Sequence, residues 1–362
     1  MYRLRASVGA GSMTEEEVRR ALRSRLASRG SAPTPKRRGD LHVFLAYRLA
    51  NWEAVLPREL RRFGRVTEFE WGSLGFDHRV GNWIEQRPVM NRAMLERFRS
   101  AHAEQPVDCV VGYLSGHAVS PEMVGTMARA GTAVFNFCWD DKLRFRGPRV
   151  GGWRTGPAAI ARCVDLNLTN APSSVLRYRV EGSLALFWPE GASPEVHRPY
   201  EGDFEFDVSF VGKRYGWRPA FLSKLERAGI RVEAFGSGWP NGPLDDAEMV
   251  RLYSRSRINL GFGGIGYSRR LLCLKGRDFE VPMSGGLYLT QENPELSLVY
   301  DVGREIVTYQ DEADCAEKIR CLLNTPREAA EIRARGRSRA LRDHTWEARF
   351  AKLFELAGLL AE

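Results

Sequence analysis

Val208-Ser-Phe-Val-Gly-Lys-Arg-Tyr-Gly-Trp-Arg218 reads as a short buried strand, a glycine, two cations, a second glycine, and an arginine that opens a helix. A glycine directly after a strand lets backbone N–H groups approach an anion, and the positive end of the following helix adds to the attraction. Lys213, Arg214 and Arg218 place counter-charge around Gly212. The loop is not a Walker A loop, since GxxxxGK[ST] is absent. Taken alone it also fits a solvated surface turn.

The pattern it starts continues downstream. Arg218–Ala228 is predicted as helix, Val232–Phe235 as strand, Asp245–Ser254 as helix and Ile258–Phe262 as strand. Leu271–Met283 follows as helix, Leu287–Thr290 as strand and Cys315–Asn324 as helix. Upstream the same alternation runs through strands Leu41–Tyr47, Arg65–Trp71, Val107–Tyr113, Thr132–Cys138 and Val164–Thr169. The helices between them are Asn51–Phe63, Met90–His102, Ser120–Ala130 and Ser173–Val180. Strands alternating with helices of this length specify parallel sheets covered on both faces. The alternation lapses once, in the Pro-, Gly- and acid-rich stretch Ser193–Asp207. The chain therefore reads as two α/β units joined near residue 200, with ligands expected at the carboxyl ends of the strands, facing a cleft between the units.

Composition removes several classes. At 362 residues the chain exceeds one comfortable core, which agrees with two domains. No apolar run approaches the roughly 20 residues of a spanning helix, and no apolar h-region opens the sequence, so neither a membrane span nor a secretory signal is expected. The expected location is cytoplasmic. The net charge of +9 is uneven: residues 1–40 hold ten Lys/Arg against four Asp/Glu, and removing that +6 leaves +3 for the rest. A nearly neutral body argues against a nucleic-acid groove. Cys109, Cys138, Cys163, Cys273, Cys315 and Cys321 form no CxxC pair and no zinc-ligand spacing, so they read as reduced thiols, and no metal is expected.

Within residues 1–40, Thr14 and Glu17 make a capping box, and Val18, Leu22 and Leu26 form a narrow apolar stripe among arginines. The expectation is a basic flexible tail, its helix loosely docked or frayed, with weak peripheral membrane contact as its further use.

Two more segments of the second unit carry chemistry. Phe235-Gly236-Ser237-Gly238-Trp239 ends a strand at the same sheet edge as Gly212, where Trp239 either stacks on a nucleobase or packs as an ordinary core tryptophan. Leu274-Lys-Gly-Arg-Asp-Phe-Glu280 sets two cations, Lys275 and Arg277, before Glu280, a carboxylate flanked by apolar Phe279 and Val281. A buried carboxylate needs a partner. A ribose diol would donate to Glu280 while a diphosphate accepts from Lys275 and Arg277. An internal Arg277–Glu280 pair at i, i+3 satisfies the same residues without a ligand.

The run LKGRDFEVPMSGGLYLTQENPEL, the following VGREIVTYQDEADCAEKI and the ending RGRSRALRDHTWEARF resemble the CgeB-like (spore-maturation protein-like) family of bacterial-type group 1 glycosyltransferases. The similarity extends upstream through DVSFVGKRYGWR, AFGSGW and INLGFGG, covering about residues 205–350. It implies the GT-B fold, two Rossmann-like α/β domains facing a central cleft, and the transfer of a sugar from a nucleotide-sugar, a substrate rather than a cofactor. In such enzymes the second domain binds the donor, a glutamate placed like Glu280 holds the ribose, and basic residues neutralise the diphosphate. The chain departs from the wider EX7E pattern, with Leu272 where the first glutamate stands. The implied donor set is Gly212, Lys213, Arg214, Arg218, Gly236, Ser237, Gly238, Trp239, Lys275, Arg277 and Glu280. No metal is required on this reading, and no cofactor.

The first unit offers Asp140 and Asp141 in Cys138-Trp-Asp-Asp-Lys142, at the end of a predicted strand, as general base or acceptor contact, or as a turn cap. His117, after another strand, is a rival base or a structural histidine. The expected organisation is a tail over 1–40, an acceptor-side domain over 41–200, a donor domain over 201–343, and a terminal helix over 344–362 that packs back toward the first domain. The acceptor is open: glycan, lipid, peptide or small molecule. Two other readings keep the nucleotide-sugar but change its use: an epimerase or hydrolase, or a non-catalytic binding protein.

Overall fold

The computed structural model describes residues 13–30, 32–49, 52–77, 81–139 and 141–361. The chain forms two compact units, one of residues up to Pro189 together with those from Arg349 onward, the other Glu190–Ala348. The boundaries lie at 189/190 and 348/349, against expected positions near 200 and 343. No helix among the described residues is long and apolar enough to cross a membrane.

In the first unit, β1 (Leu41–Tyr47), β2 (Gly64–Glu70), β3 (Cys109–Gly112), β4 (Ala133–Cys138), β7 (Leu166–Thr169) and β8 (Ala185–Phe187) form one sheet, ordered β2-β1-β3-β4-β7-β8. Every pairing is parallel. β1, β3, β4 and β7 are buried along their whole length, which explains why they read as unbroken apolar runs rather than alternating ones. A small antiparallel hairpin, β5 (Arg149–Val150) and β6 (Trp153–Arg154), stands apart from that sheet. Its turn is Gly151-Gly152, with φ of 56° and 87°, as a two-residue hairpin of this hand requires. Trp83–Glu104 begins seven residues before the predicted Met90, carrying Pro88 inside the helix. The segment predicted as helix over Asn51–Phe63 splits into a 3₁₀ turn, Trp52–Val55, and helix Leu56–Arg61, where Pro57 restarts the helix; Asn51 lies outside the described residues.

The N-terminal segment corrects the expectation of a flexible tail over its described part. Thr14 and Glu17 do form the capping box of α1 (Glu15–Ser28). Its stripe is fully used: Val18, Leu22 and Leu26 are at most 1% exposed. Arg25 and Arg29 pair with the buried Asp165 at 3.2 and 2.7 Å, and Arg23 donates to the carbonyls of Glu355 and Leu356. Arginines that look like surplus charge are bound to the body, and the stripe is not left to meet a lipid surface. Residues 1–12 lie outside the described residues.

The second unit is a five-stranded parallel sheet, ordered β10-β9-β11-β12-β13, built from β9 (Phe206–Val211), β10 (Glu233–Phe235), β11 (Ser256–Leu260), β12 (Tyr288–Gln291) and β13 (Val307–Tyr309). In doubly wound sheets the strand order reverses at a switch point, here between β9 and β11, and ligands bind off the carboxyl ends of the strands there. Gly212 follows β9 directly. The predicted helix Leu271–Met283 is cut to Arg277–Met283, because Gly264 and Leu272 pair as an antiparallel bridge and hold residues 263–273 as a folded-back loop. The chain then runs through helices Glu312–Asn324 and Pro326–Asp343 into Trp346–Ala357. That last helix belongs to the first unit from Arg349 on, where Phe350 meets Trp188 and Phe354 meets Phe63, at centroid separations of 5.7 and 5.2 Å. All six cysteines are free.

Candidate functional site

Two glycine turns meet at the end of β9 and β10. Gly212 donates its N–H to the Phe235 carbonyl at 2.8 Å, and Arg214 donates to Ser237 at 2.9 Å. Gly236, at φ 122°, is where a side chain is impossible: a Cβ there would come within 2.5 Å of the Gly212 carbonyl oxygen. Trp239 closes the arrangement by donating its indole N–H to that same oxygen at 2.8 Å, and Arg214 lies 5.6 Å from its ring centroid. Trp239 is thus engaged by the turn through its indole N–H. Lys213, Arg214, Ser237 and Gly238 are exposed on the surface of the two turns.

Arg218, the first residue of the helix Arg218–Arg227, is only 5% exposed. It donates to the Lys213 carbonyl at 2.9 Å and lies 4.3 Å from the Tyr215 ring centroid and 5.4 Å from that of Phe210. Among the described residues no carboxylate forms an ion pair with it. Burial, and then the neighbouring charge of Arg277, bring its pKa down to about 10. Arg277 arrives from the other side of the sheet edge. Its guanidinium lies 5.7 Å from the Phe210 centroid, and its Nη1 is placed 3.3 Å from where a Cβ on Gly212 would stand. Its Nε is buried without a hydrogen-bond partner.

Among the described residues neither Arg277 nor Glu280 forms an ion pair or a side-chain hydrogen bond. The internal pair left open by the sequence is therefore not made. Glu280 stands at the edge of Gly276, where an added Cβ would lie 2.9 Å from its Oε1. Burial pushes its pKa up to about 7, partly offset by Arg277. Lys275 enters the turn through its backbone N–H, which donates to Asp278 at 2.8 Å. Asp278 also accepts from the Tyr288 hydroxyl at 2.8 Å, and burial raises it to about 6.

Asp278, Tyr288 and Tyr253, whose hydroxyl is buried and unpartnered beside Arg277 and Glu280, were not anticipated. Their roles depend on distant strands and helices meeting, and Asp278 alone carried a local signal, three residues after Lys275. The structure thus brings together Gly212, Arg218, Gly236, Arg277 and their turns in one corner of the second sheet, with Glu280 on the helix that Arg277 begins.

In the first unit His117 lines a cavity of about 460 Å³, together with Tyr113, Cys138, Arg144 and Thr155. The segment is held through its backbone: His117 donates its N–H to Thr155 at 2.9 Å, and its carbonyl accepts from the Trp83 indole at 2.8 Å. Asp141 is placed differently. It is fully buried and does not line that cavity. Burial raises its pKa to about 6; the hydroxyls of Ser174, Thr169 and Tyr178 are nearest, yet neither carboxylate oxygen has a well-formed hydrogen bond. Asp141 is thus sealed away from that cavity. Asp140 lies outside the described residues.

Residues 218–355 match the family model described as glycosyl transferase-like. No curated protein sequence matches the chain. Solved structures do. Sucrose-phosphate synthase from Thermosynechococcus elongatus aligns at 12% identity over 88% of this chain and 98% of that one, with a TM-score of 0.61. Anabaena HepE, crystallised with UDP and glucose, aligns at 11% identity over 87% and 99%, also with a TM-score of 0.61. A glycosyltransferase from Rickettsia africae aligns at 10% identity over 88% and 98%, with a TM-score of 0.54. The fold is GT-B. Its second unit carries the glycosyl transferase-like sequence.

Proposed function

We propose that the protein transfers a sugar from a nucleoside-diphosphate sugar to an acceptor hydroxyl, with the donor held in the second unit. The observation that carries this is the Arg218–Arg277 pair: two guanidiniums bearing on one phenyl ring beside a glycine turn, neither of them in an ion pair with a carboxylate among the described residues. A site that keeps two cations together at that cost is complementary to a dianion. Diphosphate is the leaving group of sugar transfer, and fixed cations aimed at its developing charge lower the barrier most. Glu280 supplies an acceptor for ribose hydroxyls on the same helix. HepE, with the same fold, binds UDP and UDP-glucose, which supports a donor of that kind.

The finer assignment, a CgeB-like, cytoplasmic bacterial enzyme that needs no metal, is part of the proposal. Arginine and lysine do the work of a metal on this reading, so turnover survives EDTA; loss that Mg²⁺ or Mn²⁺ restores would remove that part. The main test is a thermal-shift screen of UDP-, GDP-, dTDP- and CMP-sugars, in which a ligand at 100 times its Kd stabilises by about 2.7 kcal/mol. No shift with any of them would refute the donor site. Turnover of a donor without any acceptor would favour an epimerase or hydrolase, and binding with no turnover across acceptor panels a non-catalytic protein.

A further inference from the structure

The first unit holds a cavity that the donor chemistry does not use. It opens at the carboxyl ends of β3 and β4 and has about 460 Å³ of free volume, within the range of about 300–1,000 Å³ typical of small-molecule sites. Tyr113, Leu114, Val150 and Pro157 give it largely apolar walls, and Tyr113 extends a ladder of rings through Phe137 and Trp139. The β5–β6 hairpin flanks it through Val150 and is fixed in place. Trp153 packs on the buried Arg87 at 4.2 Å, and Gly116 donates to the Gly156 carbonyl at 3.2 Å. A Cβ on Gly156 would come within 2.4 Å of the Arg144 and Phe145 carbonyl oxygens, so this close approach depends on glycine.

The polar content is selective. Among the described lining residues Arg144 is the one formally charged side chain, and no carboxylate or carboxamide is present. Sugar hydroxyls are commonly held by carboxylates and carboxamides, whose oxygens each accept from more than one O–H group. Arg144 is exposed and forms no ion pair or hydrogen bond among the described residues. Its guanidinium offers paired donors suited to a carboxylate or phosphate.

We infer that this cavity receives the acceptor, and that the acceptor is a compact aromatic or alicyclic molecule bearing a hydroxyl and an anionic group, rather than a glycan. Arg144 meets the anion, the Tyr113–Val150 walls take the ring, and His117 faces the hydroxyl that becomes glycosylated. This rests on the transferase reading, and the test separates the two. Isothermal titration of the full chain uses 4-hydroxycinnamate, its methyl ester and maltotriose as probes, with UDP and GDP titrated into the same preparations. The expected result is binding of the acid, about 10-fold or more weaker binding of the ester, and the same loss for the acid in Arg144→Ala. Val150→Trp, which fills the cavity, abolishes both while leaving nucleotide affinity unchanged; Val150→Met guards against misfolding and weakens them less. Equal affinity for acid and ester, preference for maltotriose, or no binding of any probe overturns the inference. If nucleotide binding persists in those cases the donor reading stands without it.

Discussion

Arg218 and Arg277, fifty-nine positions apart in sequence, bring their guanidiniums to the same ring, 5.4 and 5.7 Å from the centroid of Phe210. Phe210 is 1% exposed and lies on β9, so the ring is a fixed reference for both. Burial, and after it the charge of Arg277, lowers the pKa of Arg218, whereas Arg277 is held up against burial by Tyr288, Tyr253, Glu280 and Asp278. On the proposed donor reading, a diphosphate would offset the charge of both.

Arg277→Ala should therefore separate binding from stability. Affinity for a nucleoside diphosphate falls roughly 10- to 150-fold, the value of a hydrogen bond to a charged group, while the free nucleoside is bound nearly as before. The melting temperature of the ligand-free protein stays roughly level, because Arg218 loses a like charge while Glu280 and Asp278 lose a nearby cation. Calorimetry with nucleoside and diphosphate, beside a melting curve, checks all three. Equal losses for both ligands together with a lower melting temperature would place Arg277 in the scaffold.

Glu280 gives a pH signature. Its folded pKa, about 7, lies above the ordinary 4.5, so its contribution to stability is fully present below about 4.5 and is lost as pH rises through about 7. Asp278, raised to about 6, acts in the same direction. Stability should decline between pH 5 and 7.5, and Glu280→Gln should flatten part of that decline. If the carboxylate accepts from a ribose, binding near pH 7 releases a proton, visible as a dependence of binding heat on the buffer. A proton-neutral reaction in every buffer counts against the ribose contact.

Asp141→Asn addresses the other buried acid. Folded Asp141 titrates at about 6, above its usual 3.8, so it too costs stability as pH rises through that value. The amide should make the protein more stable at pH 7.5 and change little at pH 4. Turnover should be kept within a few-fold. A loss of about 10²–10⁴, the size of a general base, would return Asp141 to catalysis.

Leu22→Ala tests the docked N-terminal helix. A fully buried leucine cut to alanine costs about 2–5 kcal/mol, enough to lower the melting temperature by several degrees. Deleting residues through Gly30 should destabilise further, since it also strips Asp165 of both arginines. An unchanged melting temperature would mean the segment is dispensable.

What could be read without coordinates followed from local rules. Val208–Val211 and Leu41–Tyr47 are buried strands because parallel sheets bury both faces, and that leaves an unbroken apolar run in the sequence. The Gly212 turn and the cations after it were visible for the same reason. What was hidden needed distant partners. Nothing near Arg25 and Arg29 reveals that they meet Asp165, so charge counting assigned them to a tail. Nothing near Asp141 shows that its strand end is sealed, and nothing near Leu272 shows that it pairs with Gly264 and shortens a helix.

The first unit is made from both ends of the chain. Lys36 bridges to Leu360 in parallel, Arg23 reaches the carbonyl of Leu356, and the stretch from Arg349 fills the space beside Phe63 and Trp188. On the ribosome this sets an order. The second unit is a continuous segment and can close as soon as it has emerged, whereas the first, though begun earlier, waits for the strip from Arg349 onward. Until then the surfaces that Phe350 and Phe354 will cover are open to chaperones or to other nascent chains. A chain cut shortly before residue 349 would carry a closed second unit beside an unfinished first one.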